Sequence, residues 1–147
     1  MGSGDYIDIP ERTSADDNSS TDFNQAEAND KDRPIGITIR GVAQVGSNQI
    51  SFRLPWDGTI INIEFKSGDT PTGADLQSDF NKNGTSIFTN QSNRPIITAG
   101  NNTGTSGIPD IADGIEGDIY SIDIDQVGSG VPGGNELYWT IYIRRTG

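Results

Sequence analysis

The sequence predicts an all-β fold: a jelly-roll-like β-sandwich of about eight strands preceded by an extended N-terminal arm. Three observations lead there. Apolar and polar residues alternate in short runs from Gly36 onward. Clusters of Gly, Asn, Asp and Pro separate those runs. Composition changes abruptly near Pro34.

The arm comes first. Residues 1–34 hold nine acids (Asp5, Asp8, Glu11, Asp16, Asp17, Asp22, Glu27, Asp30, Asp32) and three bases (Arg12, Lys31, Arg33), a net charge of −6. Its large apolar side chains are Met1, Tyr6, Ile7, Ile9 and Phe23. Such a segment buries too little surface to fold alone, and segments of this kind gain order on a partner. The expectation is an extended acidic arm over 1–34, ordered by partners, with a plain flexible linker as the alternative.

Residues 35–147 form the expected sandwich domain. Gly36–Val42 alternates, with Ile37 and Ile39 on one face. Ile50–Leu54 alternates again and stops at Pro55, which cannot donate to a ladder. After the turn Trp56-Asp57-Gly58, the run Thr59–Phe65 sets Ile61, Ile63 and Phe65 against Asn62 and Glu64. Ala74–Phe80 points Ala74, Leu76 and Phe80 inward; Ser86–Phe88 and Pro95–Thr98 are short candidates. Asp118–Asp125 places Tyr120, Ile122 and Ile124 on one side. Leu137–Arg145 is the clearest strand: Leu137, Trp139, Ile141 and Ile143 face the core, and Tyr138, Thr140, Tyr142 and Arg144 face away. The stretch Gly100–Asp118 is longer than most sheet connections and reads as a functional loop or an oligomer contact.

Composition excludes several function classes. The 147 residues carry a net charge of −11, with a pI near 4.1. Phosphate backbones need a Lys/Arg stripe, so neither nucleic acid nor an anionic membrane is an expected partner. No apolar run approaches the length of a membrane span, and no secretory h-region opens the chain. Cys and His are both 0. Thiolate and imidazole nucleophiles, bases and metal ligands are thereby absent, and an enzyme is not expected. No cofactor or metal is expected either.

Four motifs each have a plainer reading beside a functional one. Asp79-Phe80-Asn81-Lys82-Asn83-Gly84 opens like a calcium loop, yet the twelfth position is Asn90 rather than Glu, and Asn-Gly between alternating runs signals a hairpin. Asp123 and Asp125 could be a paired acid–base site but read as the solvated face of a strand. Trp56, Trp139, Tyr138 and Tyr142 could stack sugars; Trp139 falls on the core face, and Tyr138 and Tyr142 fall with Arg144 on a face suited to protein contact. Gly128–Gly134 lacks the Lys-Ser/Thr of a phosphate loop and reads as a strand connection.

From about Phe52 to Arg144 the chain resembles a domain found in structural proteins of tailed bacteriophages. The resemblance lies in Ile60–Ile63 leading to Pro71–Leu76, in Asp79–Phe88, in Arg94–Gly100, in Gly117-Asp118, in Ile122–Gly128 and in Pro132–Leu137. It implies a β-sandwich used in fibres, tail-tip parts and head-surface proteins. One module plus an arm looks most like a capsid cement (decoration) protein that bridges capsid subunits. Such a protein would commonly be a homotrimer on the major capsid protein or other virion proteins, assembled in the host cytoplasm and carried in the virion. A head-fibre, collar or tail-tip component binding a receptor or glycan is the alternative. The candidate partner-binding residues are Tyr6, Ile7, Ile9 and Phe23 along the arm, with Tyr138, Tyr142 and Arg144 on the last strand.

Overall fold

The computed structural model describes residues 32–146. It holds ten strands: β1 (Asp32–Val42), β2 (Gly46–Arg53), β3 (Gly58–Lys66), β4 (Leu76–Lys82), β5 (Thr85–Ser86), β6 (Ile96–Ile97), β7 (Thr103–Thr105), β8 (Asp113–Gly114), β9 (Ile119–Gln126) and β10 (Asn135–Arg145). They make two sheets. One runs β1-β10-β3-β7, with β8 also on β3; the other runs β2-β9-β4-β5, with β6 also on β4. β1 takes in Arg33 and Pro34, so the sheet begins inside the segment assigned to the arm. Pro34 is tolerated because β1 is an edge strand.

The pairing is nested: β1 lies beside β10, β2 beside β9, β3 beside β7 and β8, and β4 beside β5 and β6. A long hairpin rolled over on itself gives this order, which is the jelly roll. Ten strands fill eight positions because two positions are split. On β3, β7 pairs at Glu64–Lys66 and β8 pairs at Gly58–Thr59. On β4, β6 pairs at Leu76–Gln77 and β5 pairs at Asn81–Lys82. The stretch expected to be a long functional loop or an oligomer contact, Gly100–Asp118, therefore supplies two short strands. Thr103-Gly104-Thr105 and Asp113-Gly114 carry no apolar alternation; they join β3 by backbone pairing, and Thr59 Oγ1 also donates to Asp113 Oδ1 at 2.7 Å.

The inward faces follow the expected alternation except on β3 and on β4, where Ser78, Asp79 and Phe80 are all buried and Ala74, expected inward, lies before the strand and is only half-buried. Leu137, Trp139, Ile141 and Ile143 are buried, as are Tyr120, Ile122 and Ile124. On β3 the buried residues are Ile60, Ile63 and Phe65, while Ile61 is only half-buried. The cause is a bulge: β10 pairs Tyr142 with Asn62 but Ile143 with Ile60, so Ile61 has no partner there. One extra residue resets which face each side chain takes.

Trp139 holds the centre. Phe65 stacks on it with ring centroids 4.7 Å apart, and Phe80 meets it edge-on at 6.4 Å. Its Nε1–H donates to Ser78 Oγ at 3.1 Å, and that hydroxyl donates to Pro95 O at 2.8 Å. The two sheets are thus tied by a satisfied polar pair inside an apolar core.

Tyr120 is different. It stacks on Phe52 at 5.3 Å, but its buried hydroxyl has no hydrogen-bond partner among the described residues. Burial, with the charges of Asp118 and Asp113 adding, pushes its pKa up to about 12. A buried hydroxyl with no partner carries an uncompensated desolvation penalty of about 1–3 kcal/mol. Tyr120→Phe is therefore expected to raise stability by about 1 kcal/mol, read as a higher denaturant midpoint with an unchanged slope. A lower midpoint would show that the hydroxyl has a partner.

Candidate protein-binding face

The outward face of the first sheet gathers Tyr138, Tyr142 and Arg144. All three stand on β10, which lies between β1 and β3. Side chains alternate along a strand, so the same register that buries Leu137, Trp139, Ile141 and Ile143 turns these three outward. Opposite them on β3, Lys66 pairs with Tyr138, Glu64 with Thr140 and Asn62 with Tyr142. Tyr138 is 41% exposed.

Each aromatic residue is held from the side. The ring of Tyr138 lies against Gly36 of β1, where a Cβ would come within 2.7 Å of the phenolic oxygen. A glycine on this edge strand is what lets the ring lie flat across it. Tyr142 Oη donates to Glu64 Oε1 at 3.3 Å, and the Glu64 charge raises the Tyr142 pKa above its usual value. Glu136 reaches across to accept a hydrogen bond from the Gly41 N–H. A shallow groove lined by Glu64, Lys66, Thr103, Thr105, Tyr138 and Thr140 crosses this face. Tyr and Arg favour protein contacts because Tyr presents a large, rigid ring and Arg a planar fork of hydrogen-bond donors.

Alternation alone located Tyr138, Tyr142 and Arg144. It did not reveal Gly36, because β1 and β10 are neighbours only in the folded chain. Lys66 was missed because it lies one residue past the alternating run. Tyr6, Ile7, Ile9 and Phe23 lie outside the described residues.

The second sheet's outward face is polar and internally paired. Asp123 Oδ1 accepts from Asn48 N–H at 2.6 Å, and its Oδ2 accepts from Asn81 Nδ2 at 2.9 Å. Asp125 forms an ion pair with Arg94 at 2.6 Å. The two carboxylates thus have separate partners and do not face a shared cleft. In the Asp79–Gly84 motif, Asn83-Gly84 forms the two-residue turn between β4 and β5, both at positive φ (51° and 92°). Asn83 itself is engaged at both ends, accepting from Ile119 N–H and donating to Asp118. Asp79 is buried, and its Oδ1 accepts from Phe80 N–H and Ser86 Oγ. The motif's polar atoms serve the hairpin. Among the described residues no group of three or more acidic side chains converges as a metal site would require.

Burial is the main cause that raises the Asp79 pKa above 3.8; the Ser86 hydrogen bond opposes it and the Asp125 charge adds to it. A raised folded-state value means the folded protein holds this proton more tightly than the unfolded chain does. The stability from Asp79 is therefore complete below the usual carboxylate range and is lost as pH rises through the raised value. Asp79→Asn keeps an acceptor for Phe80 and Ser86 without the buried charge. It is expected to melt above the parent at neutral pH, with the gap closing as melts are run down to about pH 3. A gap that widens toward low pH would contradict this. Asp118 works in the opposite sense: hydrogen bonds from Ile115 N–H and then Asn83 lower its pKa, so its contribution is lost as pH falls.

The fold and the face place the chain among β-sandwich proteins built as jelly rolls. No family model matches the chain, and no curated protein matches it. Among solved structures, a chain titled "Cyanophage Pam1 capsid asymmetric unit" is similar at a TM-score of 0.41 and 11% identity, over 79% of this chain and 84% of that one. A chain titled "Structure of infectious bursal disease virus Gx strain" is similar at a TM-score of 0.28 and 15% identity, over 80% of this chain and 37% of that one.

Proposed function

We propose that this chain is a non-enzymatic structural protein of a virus particle, and that it acts as a cement protein on a bacteriophage head. The observation that carries the reading is the row Tyr138, Tyr142 and Arg144 turned outward along β10, an interior strand of one sheet. The sequence resemblance to tailed-phage structural domains adds the setting. The sandwich sits on capsid subunits through this row, and the acidic arm runs over their neighbours. Several weak contacts then act together, since joining them makes each later contact intramolecular. Basic patches on the major capsid protein would set the register of the arm. A homotrimer suits a position between capsomers.

The test is decoration of particles that lack the protein. Because β1 starts at Asp32, the truncation should end at Lys31 and spare the sheet. The chain without residues 1–31 is expected to keep the same β spectrum and melting transition and to bind particles at least about tenfold more weakly, a loss of about 1.4 kcal/mol or more. Full occupancy by the truncated chain would remove the arm from the account. If the complete chain does not co-sediment with particles, the virion reading itself fails. Sedimentation equilibrium of the complete chain reports whether it is a trimer.

A further inference from the structure

The core is closed along one side and open along the other. On the closed side β6 and β7 bring the two sheets together so tightly that a Cβ on Gly104 would lie 1.9 Å from Ile96 O. On the other side β1 and β2 end their sheets, and no strand among the described residues pairs with the outer edge of β1. Along these two edges Ile35, Ile37, Ile39, Ile50 and Phe52 pack on the core yet stay only partly buried. Val42 and Val45, in and beside the loop that joins the edges, are 73% and 63% exposed. A long, partly apolar edge invites another strand, and proteins usually blunt such edges. β1 has a proline only near its start, so every residue from Ile35 to Val42 retains its N–H.

We propose that the segment Tyr6–Ile9 of a second copy of this chain adds as a strand along the outer edge of β1. This rests on the reading of the arm as a docking segment and names its receptor. Tyr6-Ile7-Asp8-Ile9 alternates, so a strand there puts Ile7 and Ile9 on one face, over Ile35, Ile37 and Ile39, and Asp8 on the other. That other face is the outward one, where β1 carries Arg40. Pro10 then ends the strand.

The length of chain outside the described residues lets the segment reach a second copy. A strand that folds back on its neighbour needs a connection of about 2–5 residues. Here 21 residues, Glu11–Lys31, intervene, rich in Asp, Ser and Asn. Extended, they reach up to roughly 70 Å, about twice the diameter of a domain of this size.

The chain has no cysteine, so engineered thiols report unambiguously. Full-length Asp8→Cys chains are mixed with mass-tagged full-length Thr38→Cys chains and treated with a short bis-maleimide. A covalent dimer joining one of each is expected, and its yield should fall at least tenfold when Ile7→Asp and Ile9→Asp accompany the Asp8→Cys change. The proposal is overturned by no mixed dimer or by a yield indifferent to Ile7 and Ile9. Particle binding by the parent chain separates the two levels. Binding without the mixed dimer sinks the edge receptor alone, and the mixed dimer without binding sinks the virion role alone.

Discussion

Replacing Trp139 with alanine is expected to remove about 3–5 kcal/mol of stability, the range for deleting a buried large aromatic side chain. Trp139 is fully buried and touches both halves of the sandwich. It stacks on Phe65 from its own sheet and meets Phe80 from the other. Removing it leaves a void that the surrounding strands cannot close, because their backbones are fixed by ladder bonds on both sides. It also strips Ser78 Oγ of its donor in the interior. A domain of this size has only about 5–15 kcal/mol in total, so the variant should unfold at a much lower denaturant concentration. Trp139→Phe separates the two causes. It keeps most of the ring volume and loses the indole N–H, and it should fall between the parent and the alanine variant. A loss below about 1 kcal/mol for the alanine change would mean that the centre of the core lies elsewhere.

Gly104→Val is the second large effect, with an expected cost of about 3 kcal/mol from overpacking. The opposing atom is a carbonyl oxygen of the main chain, Ile96 O, at 1.9 Å from the hypothetical Cβ, with Ile97 Cα at 3.4 Å. A side chain could rotate away from such a clash; a backbone carbonyl in a strand cannot. The closed side of the sandwich would have to part. Gly84→Ala provides the contrast. Its Cβ would meet nothing within 4 Å, so the only cost there is the positive φ of 92°. If thermal melts of Gly104→Val and Gly84→Ala shift equally, the close approach at Gly104 is not what holds the two sheets together.

The long strands were legible because one face of each is buried and the other is not, which writes the period of two into the residues. β9 and β10 show it plainly, with Tyr120, Ile122 and Ile124 inward on the one and Leu137, Trp139, Ile141 and Ile143 on the other. β7 and β8 were illegible because Thr-Gly-Thr and Asp-Gly are placed by backbone pairing to β3, which leaves no mark on side-chain polarity. The bulge at Ile61 defeated alternation in another way: Ile60, Ile61 and Ile63 are equally apolar, and only the β10 register decides which are buried. Asp79 shows a third limit. An alternation that turns Leu76 and Phe80 inward would turn Asp79 outward, yet Asp79 is buried. On the candidate face, Tyr138, Tyr142 and Arg144 followed from the strand pattern alone. The support of Tyr138 by Gly36 depends on a pairing between the two ends of the domain, and nothing local encodes that.

The position of β10 bears on how the chain is made. The last of the described strands in chain order is the one that sits between β1 and β3, bonded to both. Until Asn135–Arg145 has emerged, β1 has no neighbour, β3 lacks one of its two, and Trp139 is missing from the core. Pairings between distant parts of a chain form late and slowly. Synthesis halted anywhere short of this point should therefore yield nothing resembling a folded domain, and degradation rather than incorporation would be the fate of such fragments.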